Sequence, residues 1–185
     1  MKLHRTSATT YTDVISLATA KAHLRVDSSA EDALITSLIS TAGEIVEEYT
    51  GQYLSSCGFT YYADYFSSVM KIHASPGISI TSVKFTDSAG VLQTHSSSEY
   101  FTDLKSHPIR VQFENLPTDV DDRVHAVQIA GTAGFTTVPE TLKSAMLLIL
   151  GHLYEHRKDV LVGVQSAPLV HGAKYLMDKF KPSTF

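Results

Sequence analysis

The sequence predicts an α+β protein: mainly a helical bundle, with a small antiparallel β region inserted and an amphipathic tail at the C-terminus. Two stretches of strong helical periodicity, residues 28–50 and 139–157, predict the bundle. Between them, residues 58–130 change to short β-branched and aromatic runs broken by turn residues, which predicts the β region. At 185 residues the chain is long enough to bury a real core in one domain. The expected division is a single domain over 1–159 and a tail over 160–185.

The first twelve residues are small and polar and read as a flexible arm. Ser16 opens a short helix, 16–26, with Leu17, Ala20 and Leu24 on one side and with His23 and Arg25 near the end, where positive charge is favoured. The long helix follows at 28–50. Leu34, Ile35, Leu38, Ile39, Ala42, Ile45, Val46 and Tyr49 recur three and four apart and form one stripe. Ser28 and Glu31 have the spacing of a capping box, and Gly51 suits the left-handed residue that ends a helix.

The β region begins with the aromatic run Phe59 to Phe66 and continues through Met70, Ile72, Ile78, Ile80, Val83 and Phe85. Asp87-Ser88-Ala89-Gly90 between two β-type runs predicts a hairpin. Further strands are expected at 100–103, 109–113 and 125–130, with an acidic loop around Pro117. The last strong helix, 139–157, is apolar nearly all round and should be buried on more than one side, the long helix included. Thr137 and Glu140 repeat the capping-box spacing, and Pro139 suits a first turn. After a loop at 160–167, Pro168 to Phe180 is amphipathic, with Leu169, Ala173, Leu176 and Phe180 on one side. Ordering so short a segment costs more than its own burial returns, so it gains by docking on another chain.

The formal net charge of −4 gives no basic surplus for nucleic-acid binding. A single cysteine, Cys57, excludes an internal disulfide and points weakly to a reducing compartment. The N-terminus has no apolar core of a secretory signal, and no run is long enough to span a bilayer, so a soluble, intracellular protein is expected.

Three motifs invite chemistry. His152-Leu153-Tyr154-Glu155-His156 matches a zinc signature in letters, and histidines four apart share a helix face. Zinc still requires a third ligand, so a capped helix end is the plainer reading. Gly131-Thr132-Ala133-Gly134 lies between strand and helix as phosphate loops do, but lacks the Lys-Ser/Thr of a P-loop and reads as a turn. Tyr61, Tyr62 and Tyr65 lack interleaved basic residues and read as sheet or interface residues rather than base-stacking ones.

Three phrases occur in order: Leu17 to Val26 with Glu31-Asp32 and Glu48 to Gly51; Ser79 to Asp103; and Ala133 to Arg157. Together, over residues 14–158, they resemble the tailed-bacteriophage head–tail connector (adaptor) family. Phe135 stands where that family usually has Tyr, and His156 where Asn is common. The resemblance implies a non-catalytic virion protein without cofactor or metal, placed in the neck and assembled in the host cytoplasm. It implies a ring, dodecameric on the virion, under the portal protein, forming a platform for tail-completion or stopper proteins. DNA passes the lumen without specific binding, and no membrane is involved. The tail residues Leu169, Ala173, Tyr175, Leu176 and Phe180 become candidates for portal contact. Glu44, Glu47, Glu48, Asp119, Asp121 and Asp122 become candidates for subunit or lumen contacts. The alternative is a small metal-dependent hydrolase using His152 and His156.

Overall fold

The computed structural model describes residues 2–7, 10–156 and 171–181. These divide into two compact units, Met1–Thr9 with Ser56–Thr136 and Thr10–Ser55 with Thr137–Phe185. The expected boundary at 159/160 lies outside the described residues.

The first unit is a β sandwich. Strands β1 (Lys2–Arg5), β2 (Cys57–Ala63), β4 (Gly77–Thr86), β5 (Leu92–His95) and β8 (Val127–Ala133) form an antiparallel sheet in the order β1-β2-β8-β4-β5. Strands β3 (Val69–Ile72), β6 (Tyr100–Asp103) and β7 (Ile109–Phe113) form a second in the order β3-β7-β6. Alternate residues of β2, β7 and β8 are buried, as a strand with one inward face requires. The sheets meet through aromatic contacts. Phe66 lies edge-on to Phe113 at 5.0 Å between ring centroids, and His95 packs on both Phe85 and Phe113.

The hairpin forms where Asp87-Ser88-Ala89-Gly90 predicts it. Gly90 has φ 82°, and the Asp87 carboxylate accepts from the amides of Ala89 and Val91 at 3.1 and 2.8 Å. Two expectations need correction. The β portion is not small, because eight strands in two sheets hold nearly as many residues as the helices. Residues 2–5 are no loose arm either, because they pair with Phe59 to Tyr62 as an edge strand. The α+β class itself holds.

The second unit is helical, with α1 (Leu17–Leu24), α2 (Asp32–Thr50), α3 (Glu140–Glu155) and α4 (His171–Asp178). Ile35, Ile39, Ala42 and Val46 are the fully buried line of the predicted α2 stripe. Gly43 extends it because Tyr11 lies flat there; a Cβ at Gly43 would stand 2.2 Å from the Tyr11 ring. Helix α3 buries Leu142, Ala145, Met146, Ile149 and Leu150 and packs on α1, α2 and α4, which explains its all-round apolar sequence.

The helix ends divide. Ser16 caps α1 by accepting from the Thr19 amide at 3.1 Å, and Gly51 ends α2 at φ 66°. Neither expected capping box forms. Ser28 accepts from the Ala30 amide in a turn, α2 begins at Asp32, and Glu31 accepts from the Tyr154 hydroxyl of α3 instead. Helix α3 begins after Pro139 with no side-chain cap. In both places a longer-range partner or a proline displaces the local bond.

Candidate functional site

With no catalytic cluster predicted, the surfaces that could meet partners are the candidate sites. In the helical unit they centre on the end of α2 and on α4. Helix α4 turns Ala173 and Met177, four residues apart, fully inward. Leu176 and Phe180 are half-buried, while Tyr175 is 80% exposed. Three polar contacts tie α4 down. Tyr49 of α2 donates to Asp178 at 2.5 Å, Gln52 donates to the Phe180 carbonyl at 2.8 Å, and Lys179 donates to Thr141 at 3.1 Å. The Asp178 carboxylate at that hydroxyl, with partial desolvation, pushes the Tyr49 phenol pKa up. Lys181 lies over the Tyr49 ring at 4.4 Å.

The segment 171–181 packs part of its apolar surface, Ala173 and Met177, on its own chain, so docking on another chain is not its whole source of burial. Of the five tail candidates, the described ones do not act alike: Tyr175 is presented, Ala173 is hidden, and Leu169 lies outside the described residues. Met177, Tyr49 and Gln52 were missed. The Ala173–Met177 spacing was the available signal for Met177. Nothing local marks Tyr49 or Gln52 as partners of residues about 130 positions away.

The acidic candidates also separate. Glu44 and Glu48 are exposed, and Glu48 lines a shallow groove with Ile45, Tyr49 and Lys181. Glu47 is structural. Its two carboxylate oxygens accept from the Tyr11 hydroxyl at 2.9 Å and from the Leu54 amide at 2.7 Å, clamping the chain before and after the helices to α2. Glu47→Ala leaves both donors without that acceptor and is expected to cost about 2 kcal/mol. Urea unfolding checks this; an unchanged midpoint would contradict the clamp.

Asp121 and Asp122 belong to the β unit. Asp121 accepts from the Arg123 side chain and amide, which holds its carboxyl below the usual range, while Asp122 and Asp119 are exposed. Asp103 on β6 is held well below that range by Ser106, which donates at 2.6 Å, and by Arg110. Groups with depressed pKa values stabilise the fold above the unfolded carboxylate value near 4 and lose that contribution as pH falls through their folded values. The urea midpoint is therefore expected to drop between about pH 5 and about pH 2, and Asp103→Asn to reduce that drop.

The remaining surface of the β unit is apolar in places. Tyr65 and Phe101 are 63% and 61% exposed, with Val69 between them on the edge strand β3. Cys57 is buried on β2. Gly131 to Ala133 lies within β8 rather than in a loop, which corrects the turn reading. His152 and His156 have rings 4.6 Å apart, and His156 turns its Nδ1 to the His152 carbonyl. Among the described residues no group of three or more His, Cys, Asp or Glu is placed to hold a metal, so the hydrolase alternative finds no third ligand.

Residues 14–101 match a family model described as phage gp6-like head-tail connector protein. The resemblance stated from the residues is thus shown over its first phrase and nearly all of its second. No curated protein matches the chain. Among solved structures, the fold is shared with a chain in the neck of an empty gene transfer agent particle, computed with C6 symmetry. That likeness has a TM-score of 0.80 at 24% identity, covering 100% of this chain and 97% of that one. A chain of the native gene transfer agent virion gives 0.81 at 23% identity with the same coverage. A chain of the native neck, computed with C12 symmetry, gives 0.75 at 22%.

Proposed function

We propose that this chain is a virion structural protein of the head–tail junction, a connector that forms a ring beneath the portal and carries the tail or stopper proteins. The match of residues 14–101 to the head–tail connector model is the observation that carries the reading. The full-length likeness in fold to neck chains, in particles treated with six- and twelvefold symmetry, supports it. The protein works in the virion neck and is made and assembled in the host cytoplasm. Its role is positional rather than catalytic. No described helix is long and apolar enough to cross a membrane.

Within that ring, reckoned dodecameric, the exposed acids Glu44, Glu48 and Asp122 meet neighbouring copies or face the DNA path. Carboxylates along the path repel phosphates, so the duplex slides without the counterion release that would hold it. On the portal side α4 docks through Tyr175. Leu176 and Phe180 add their half-exposed edges, and Leu169 stays a candidate for the portal contact from its sequence alone. Ala173 supports α4 from beneath.

Particles produced without this chain test the role. Heads filled with DNA but unable to join tails are the expected product. Normally tailed particles would overturn the reading.

A further inference from the structure

The β sandwich is closed on one side and open on the other. On the closed side, the chain passes from β5 to β6 through Ser97–Glu99, and the His95 ring stacks on Tyr100 at 6.2 Å. On the open side the outer strands are β1 and β3, and among the described residues each pairs along one edge only. Between them lies a cleft of about 520 Å³. Leu3 and Tyr61 line it from the larger sheet, Val69 and Met70 from the smaller, with Tyr65 between, and Ser67, Lys71 and His73 add polar groups at the same cleft. Unpaired strand edges beside an apolar floor take an extended peptide as an added strand, the edges supplying backbone bonds and the floor taking alternate side chains.

The chain contains a segment of that kind. Helices α3 and α4 pack on each other, yet residues 157–170, fourteen in number, join them. Packed helices usually need a link of about two to eight residues. The link carries Val160-Leu161-Val162-Gly163-Val164, aliphatic and largely β-branched, with no proline before Pro168. At about 3.3 Å per extended residue, a link of this length held at both ends can carry its midpoint at most roughly 23 Å out.

We propose that the open side of the β sandwich receives residues 160–164 of a second copy of this chain as an added strand. This inference rests on the ring reading. One chain's segment in the next chain's cleft is a heterologous contact, which makes a ring where the rotation between copies closes and an open filament where it does not. It gives each subunit a covalently continuous arm into its neighbour, and it covers the Leu3, Tyr65 and Val69 side chains.

Disulfide trapping in the full-length chain tests it. Val69→Cys is paired with Leu161→Cys and, separately, with Val162→Cys, because successive strand residues face opposite sides. Rings assembled on the portal are oxidised and separated without reductant, with each single variant as control. One of the two pairs is expected to give a ladder of linked copies that the single variants lack. Rings that form but yield no link between copies, or only a link within one chain, overturn the inference while leaving the connector reading intact. If the unaltered chain forms no ring on the portal, both fall. As a second variant, Val162→Asp is expected to lower ring yield at least about tenfold while the monomer's melting temperature is unchanged. An undiminished ring yield would count against the added strand.

Discussion

Tyr175→Asp is expected to leave the chain folded and to weaken its capture by the portal at least about thirtyfold. The side chain is 80% exposed on α4, so the substitution removes little internal burial. An exposed tyrosine on a helix held from beneath is the kind of rigid aromatic that dominates an interface, where truncation often costs about 2 kcal/mol or more, and a carboxylate adds desolvation. Met177→Asp makes the complementary case. Met177 is fully buried between α4 and its neighbours, so a charge there frees α4 from α2 and α3 and lowers the melting temperature as well as portal capture. The pair separates a docking residue from a supporting one. Equal capture by Tyr175→Asp and the unaltered chain would remove α4's outer face from the portal contact.

Gly131→Ala is expected to destabilise the protein by about 3 kcal/mol or more. Gly131 sits in β8, paired with Phe59 on one side and Ile80 on the other. A Cβ there would stand 2.4 Å from the Ser79 carbonyl oxygen and 2.7 Å from the Phe59 ring. Phe59 is itself fully buried, and the carbonyl belongs to the strand β4 that β8 pairs with. Relief therefore needs a shift in the ladder, which lies next to a register irregularity between Ile80 and Ser82. Urea unfolding reads the effect directly, and a midpoint equal to the parent's would refute the crowding.

What the sequence reveals follows from what is local. The α2 stripe, Gly51, the Ser16 cap and the Asp87–Gly90 hairpin are decided by residues a few positions apart, and all four stand where periodicity and turn chemistry put them. The edge strand at Lys2–Arg5 has no β-type signal of its own; its partner β2, more than fifty residues on, supplies the pairing. Ser28 and Glu31 carry the right letters for a capping box, but Tyr154 offers Glu31 a better partner. Gly131 looks like part of a glycine loop because nothing nearby reveals that Ser79 and Phe59 crowd it.

The candidate site was less legible for the same reason. Glu44, Glu47 and Glu48 look alike in sequence, yet Tyr11 and the Leu54 amide claim Glu47, while Glu44 and Glu48 stay exposed. The tail was expected to need a partner to hide its apolar side chains, and α2 and α3 of its own chain do much of that. Among the described residues, Tyr175 on α4 and Tyr65 and Val69 beside the open edge of the sandwich are among the apolar side chains left exposed. Tyr175 remains available to a partner on the helical unit, and Tyr65 and Val69 on the open side of the sandwich.

Ring assembly on the portal is the claim on which the rest depends. Mass measurement of the purified portal mixed with an excess of this chain tests it most directly. The account predicts a complex heavier than the portal by a fixed whole number of chains, twelve for the ring of the proposed connector, with closed rotational symmetry in images of the same sample. A portal that gains no mass, or binds a variable number of isolated chains, would contradict it.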